Sequence, residues 1–237
     1  MQEVAVTDTY GHMFTDHLNQ AEKRQANADV MAEILWRYHQ PRAVIDLGCG
    51  LGFFLNACAK RGAEITGVDG DWVDPGDSVI PGPARRNADL NAPYKDERRY
   101  DLAATIEVAE HLKPERSESF VDDLCALSDV VLFSAGIPDQ AGVDHINLRF
   151  QGEWAEMFAA RGYACYDPVR RRLAGFDQAL PWLVQNVLLY VKDGTPTDPL
   201  LEEHRIVPKA ASYATRWHYR RQMRKLRKQI RNMKAPK

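Results

Sequence analysis

VIDLGCGLGFF, residues 44–54, runs from an apolar stretch into an aspartate and then into three glycines at alternate positions. A short continuous apolar run of this kind reads as a parallel strand covered on both faces. The glycines after it let the backbone take positive φ and come close to a ligand. A helix beginning near Phe53 points its amide end at whatever is bound. Such units lie at the carboxyl edge of doubly wound sheets, where nucleotide-like ligands lodge.

Spacing and charge decide which ligand. A dinucleotide turn reads GxGxxG, with the third glycine needed for helix–strand packing. Here the order is GxGxG, and Phe53 stands in the third required place. Asp46, just before the turn, would repel a pyrophosphate but suits a cation. Asp69 ends the second strand, EITGVDG, where a carboxylate takes ribose hydroxyls. Asp46, Gly48, Cys49, Gly50, Asp69 and Gly70 are therefore the expected cofactor cradle, and S-adenosylmethionine is favoured over NAD.

Outward from the turn, residues 17–39 have helical spacing, closed by Pro41. Further strands are expected at YDLAATIEV and DVVLFSAG, and late ones near YACYDPV and VQNVLLYV. A short strand or turn near Ala84–Asp89 interrupts the loop-rich residues 70–98. Helices are expected over Phe53–Lys60, from near Pro114, and over Glu153–Arg161. This alternation predicts an α/β, Rossmann-like, doubly wound and mostly parallel seven-stranded sheet. The two late strands, with no clear helix between them, predict a terminal antiparallel hairpin. The expected division is an N-terminal helical lid (1–40), a central domain (41–195), and a linker with a basic C-terminal helix (196–237).

In order and spacing, VIDLGCGLGFF, ITGVDGDWV, NADLNAPY and YDLAATIEVAEHL resemble the motifs of class I S-adenosylmethionine-dependent methyltransferases, over roughly residues 40–192. EVAEHL, DVVLFSAGIPDQAGVDHIN and WLVQNVLLYV are similar to a bacterial subgroup associated with glycan or secondary-metabolite gene neighbourhoods. The resemblance implies that Gly48 and Gly50 line the methionine part and that Asp69 holds the ribose. It also implies that Asp89 and Leu90 edge the adenine and that Glu107 lies under the cofactor. Trp72 either covers the adenine face or closes the core. After HIN the subgroup has a polar Glu-Gln-Trp stretch, and LRF stands here instead. That departure concerns the acceptor pocket and leaves the cofactor site intact.

Methyl transfer is an in-line displacement, so the protein aligns the acceptor and excludes water. A hydroxyl acceptor must also lose its proton, for which histidine is the usual group near neutrality. His145, in the Gly- and Asp-rich loop after DVVLFSAG, is the first candidate base, with Asp144 or Asp139 to orient it. His111, at the exit of YDLAATIEV, is the second. The alternative for both is a structural hydrogen-bonding role. No tight ligand spacing links Asp139, Asp144 and His145, so no metal is expected. Tyr10, His12 and Phe14 are candidate lid or substrate contacts. The expected activity is O-methylation of a small-molecule or glycan hydroxyl, with N-methylation second. A catalytically silent scaffold and, below it, an NAD-dependent oxidoreductase are the rivals.

Composition adds limits. The 237 residues are 45% hydrophobic and 27% charged, enough for one sizeable core. No apolar run approaches the ~20 residues that span a bilayer. The first twenty residues lack a basic head followed by an apolar block. The four cysteines form no CxxC pair. A reduced, cytoplasmic protein is expected, or one peripheral on the inner membrane surface. After residue 204 there are twelve Lys or Arg and no acid, which leaves an acidic body at about −14. Tyr219, Met223, Leu226, Ile230 and Met233 form a short apolar stripe on this basic segment. It fits packing on the body or in a homodimer, or contact with an anionic membrane surface or acidic partner. An acidic body without a basic aromatic groove argues against nucleic acid.

Overall fold

The computed structural model describes residues 17–234. Its eight strands form one sheet: β1 (Ala43–Leu47), β2 (Glu64–Asp69), β3 (Arg85–Asn87), β4 (Leu102–Ile106), β5 (Val130–Ser134), β6 (Tyr163–Tyr166), β7 (Leu188–Lys192) and β8 (Arg205–Ile206). Their order across the sheet is β3-β2-β1-β4-β5-β7-β6-β8. β1 to β5 pair in parallel, while β7 runs antiparallel between β5 and β6. Seven strands follow the expectation. The eighth is a two-residue addition from the basic C-terminal segment, antiparallel to β6. It is too short to leave a periodic signal in the sequence.

The central strands are covered on both faces, as their unbroken apolar runs require. In β5, Val130 and Leu132 enter one hydrophobic cluster while Val131 and Phe133 enter the other. The first cluster packs α1 (Ala21–Trp36) and α2 (Phe53–Ala59) against the sheet, through Met31, Leu35, Phe54 and Leu55. The second holds α3 (Ser117–Leu127) and α4 (Gln151–Ala159). Here Phe158 stacks on Tyr190 with ring centroids 4.0 Å apart, and Phe133 lies 5.0 Å from Trp154.

Two short helices intervene between the late strands, where none was expected: α5 (Arg170–Leu173) and α6 (Pro181–Asn186). Each is too short to show a helical period. Pro181 starts α6 with the φ its ring already imposes. The buried Asn27 of α1 ties this region down, with its amide donating to the Gln178 carbonyl (3.0 Å) and accepting from the Leu180 N–H (2.9 Å). α1 is thereby fixed against the segment leading into α6.

After α7 (Pro208–Ala211), the basic α8 (Arg216–Lys234) packs on the body only through its first turns. Gln222 Nε2 donates to the Asp139 carbonyl (2.8 Å) and Lys225 Nζ lies 3.4 Å from Asp139 Oδ1. Tyr219, Leu226, Ile230 and Met233 are exposed, so the expected stripe is not packed on the body of the chain. Among the described residues, no helix is long and apolar enough to cross a membrane. All four cysteines are free.

Candidate active site

β1 pairs β2 on one side and β4 on the other, and the crevice at this switch point carries the site. The chain leaves β1 through Gly48 at φ 80°. A Cβ there would lie 2.3 Å from Val108 Cγ2, so the turn is closed to any larger residue. Gly52, at φ 89°, caps α2. A cavity of about 510 Å³ opens in front of the turn.

Asp46, at the end of β1, is 3% exposed, and its Oδ1 has no hydrogen-bond partner. Burial, and then the neighbouring Asp69, push its carboxyl up to about 7. A buried carboxylate with an unpartnered oxygen beside a ligand cavity is a receptor for positive charge. Asp69 Oδ2 accepts from the Gly50 N–H (2.6 Å), and Oδ1 accepts from the Gly70 N–H (2.8 Å) and Trp72 Nε1 (2.9 Å). Burial raises this carboxyl too, against the lowering effect of those bonds. The Trp72 ring lies over Gly70, where a Cβ would be 2.2 Å from it. Cys49 is buried beside the turn, and burial pushes its thiol far up, so it is an inert lining.

Asp46, Gly48, Cys49, Gly50, Asp69, Trp72, Asp89, Leu90 and Glu107 all line the one cavity, whereas Gly70 stands behind the Trp72 ring. Leu90 is held by Arg116, whose Nε donates to its carbonyl (3.1 Å) while the guanidinium pairs with the buried Asp123.

Glu107, also on the cavity wall, is left-handed at φ 56°. Its carboxylate accepts from Asn186 Nδ2 (3.0 and 3.2 Å) and Gln140 Nε2 (2.8 Å). Glu110, fully buried, is raised well above the ordinary carboxyl range by burial and by Glu107. His111 and His145 meet edge to face, with ring centroids 4.9 Å apart. Burial and His145 push His111 down to about 4; burial also lowers His145. Both imidazoles are therefore neutral at pH 7. Glu110 and His111 occupy the turn that follows β4.

His145 Nδ1 lies 3.0 Å from the Gln140 carbonyl, so the backbone, rather than Asp139 or Asp144, orients the ring. Asp139 is turned to α8, and neither aspartate lines the cavity. Tyr10, His12 and Phe14 lie outside the described residues. His17 does line the cavity.

Sequence reasoning missed Gln140 and Asn186, which clasp Glu107, and Trp217 and Arg221, by which the basic α8 walls the cavity. Gln185 and Asn186 did leave a signal: two polar residues inside WLVQNVLLYV, each 1% exposed or less.

A family model for a methyltransferase domain matches residues 19–165. No curated protein matches the chain by sequence. Among solved structures, DesVI of Streptomyces venezuelae aligns with a TM-score of 0.58 at 14% identity, over 81% of this chain and 100% of that one. Magnesium protoporphyrin IX methyltransferase of Synechocystis PCC 6803, solved with bound S-adenosylmethionine, gives 0.50 at 17%, over 81% and 86%. A putative O-methyltransferase of Nostoc punctiforme PCC 73102 gives 0.52 at 17%, over 74% of this chain. The chain spans 59% of that Nostoc protein and 51% of human N-acetylserotonin methyltransferase. At these identities the likeness is one of fold. The family match, covering more than half the chain and all of the glycine turn, settles membership: the chain belongs to the class I S-adenosylmethionine-dependent methyltransferases.

Proposed function

We propose that the protein transfers a methyl group from S-adenosylmethionine to a hydroxyl of a small-molecule or glycan acceptor, with His145 as general base. Bound S-adenosylmethionine supplies an electrophilic methyl carbon on a positively charged sulfur. The residues present suit it. Asp46, with its unpartnered buried oxygen, answers the cationic amino-acid end, and the Gly48–Gly50 backbone leaves the approach open. Asp69 takes the ribose hydroxyls when it gives up its bond to Trp72, and Asp89 and Leu90 edge the base. The acceptor enters at the opposite end of the cavity, beside the histidine pair.

The observation that carries the hydroxyl reading is the state of His145. Its Nδ1 is committed as a donor to the Gln140 carbonyl, which leaves Nε2 with a lone pair, and its lowered basicity keeps the ring neutral. The acceptor oxygen gives up its proton to that nitrogen. Trp217 and Arg221 line the cavity, which supports a part for α8 in acceptor choice. The exposed basic end of α8 supports contact with an anionic surface, read by co-sedimentation with anionic vesicles. The test of function is S-adenosylhomocysteine release against hydroxyl and amine acceptors. Turnover on hydroxyls that disappears in His145→Ala supports the reading, and turnover on amines alone overturns it.

A further inference from the structure

Beside His145 the cavity holds two further donor groups that a general-base mechanism leaves idle, Glu110 and His111. Glu110, His111 and His145 each offer a ligand atom, and these atoms lie within 4.8 Å of one another. All three residues line the cavity. Glu110 is fully buried, and neither of its carboxylate oxygens has a hydrogen-bond partner of good geometry. The Gly136 N–H and the Glu107 carboxyl stand close enough to influence its charge. A buried carboxyl so placed takes on its charge only beside a counter-charge.

The imidazole is prepared as metal-binding histidines usually are. A carbonyl only accepts, so His145 Nδ1 must carry the proton toward Gln140, leaving Nε2 as the free donor. An outer hydrogen bond of this kind fixes tautomer and ring plane in metal sites. Gly142 leaves that nitrogen room, since a Cβ there would lie 2.0 Å from it. Glu107, beside Glu110, has its own carboxylate engaged by the Asn186 and Gln140 amides.

We infer that Glu110, His111 and His145 form a binding site for one first-row divalent metal ion. One carboxylate and two imidazoles suit Mn²⁺, Fe²⁺, Co²⁺ or Zn²⁺ better than Ca²⁺. Three protein ligands leave open positions for an acceptor oxygen. The inference rests on the hydroxyl reading above and changes one role in it. His145 Nε2 becomes a ligand, and the metal ion lowers the pKa of the acceptor hydroxyl, whose proton leaves to solvent. The oxygen's electron pair then forms the C–O bond while the C–S bond breaks and its pair stays on sulfur.

The test uses the full chain without a histidine tag, stripped with EDTA and titrated with Mn²⁺ while the free-ion electron paramagnetic resonance signal is followed. One Mn²⁺ per chain at micromolar concentration is expected. Glu110→Gln and His145→Ala should each weaken binding at least tenfold, with circular dichroism unchanged. Loss of the free-ion signal only at millimolar Mn²⁺, or identical titrations for all three proteins, overturns the site. Turnover separates the two claims. If the stripped enzyme keeps full hydroxyl methylation, His145 acts as the base and the metal is overturned. If Mn²⁺ binds with the expected variant pattern but no hydroxyl is methylated, the metal site stands and the acceptor reading falls.

Discussion

Asp46→Asn separates what the site costs the fold from what it gives the cofactor. Folding moves this carboxyl from an ordinary 3.8 to about 7. At about 1.4 kcal/mol per pH unit, a fully ionised Asp46 costs the empty protein about 4 kcal/mol. The sign follows from the direction. The folded state holds the proton more tightly than the unfolded one, so the cost is absent below 3.8, grows as pH rises, and is complete above about 7. Asparagine keeps the shape without the charge. The variant should therefore be more stable than wild type at pH 8, by up to about 4 kcal/mol, and nearly level with it at pH 4. Urea denaturation at the two pH values reads the difference. The same substitution removes the charge that answers the cofactor. A lost charge-assisted contact of about 1.5–3 kcal/mol weakens S-adenosylmethionine by about ten- to a hundredfold in calorimetry. A variant destabilised at pH 8, or one with undiminished cofactor affinity, would refute the reasoning.

Other perturbations reach different parts of the account. Gly48→Ala forces a side chain into left-handed backbone and against Val108; it should cost about 1–3 kcal/mol and abolish cofactor binding, measured by thermal unfolding and calorimetry. Arg116→Met strands the buried Asp123 and frees the Leu90 carbonyl; a loss of about 3–5 kcal/mol in denaturant unfolding is expected. His145→Ala should lower kcat by about 10²–10⁴ with far less change in KM, measured by S-adenosylhomocysteine release. In wild type the acid limb of the rate profile should fall below the ordinary imidazole midpoint of 6.5, because burial lowers His145.

The glycine-turn wall of the cavity was legible because its parts are local. Asp46, Gly48 and Gly50 are fixed by one strand and the turn that leaves it, and Asp69 ends the adjoining strand. Their chemistry follows from order along the chain. The wall around Glu107 is assembled across the sheet: Asn186 meets Glu107 from 79 positions away, and Gln140 from 33. No spacing rule reaches over such separations. His145 was singled out by residue type and loop position, but its orienting partner is a backbone carbonyl, which every residue has. The basic tail was read as an appendage, yet Trp217 and Arg221 place its first turns in the cavity wall. A charge run shows that a helix is basic and leaves open which few residues it turns inward.

The central claim is that the turn at residues 44–54 receives a cationic S-adenosyl cofactor rather than a dinucleotide. Side-by-side calorimetric titration of the full chain at pH 8 tests it, with S-adenosylmethionine and with NADH, repeated on Asp69→Ala. The account predicts one S-adenosylmethionine per chain, at least tenfold weaker binding in the variant, and no heat from NADH. Saturable NADH binding with none of S-adenosylmethionine would contradict it.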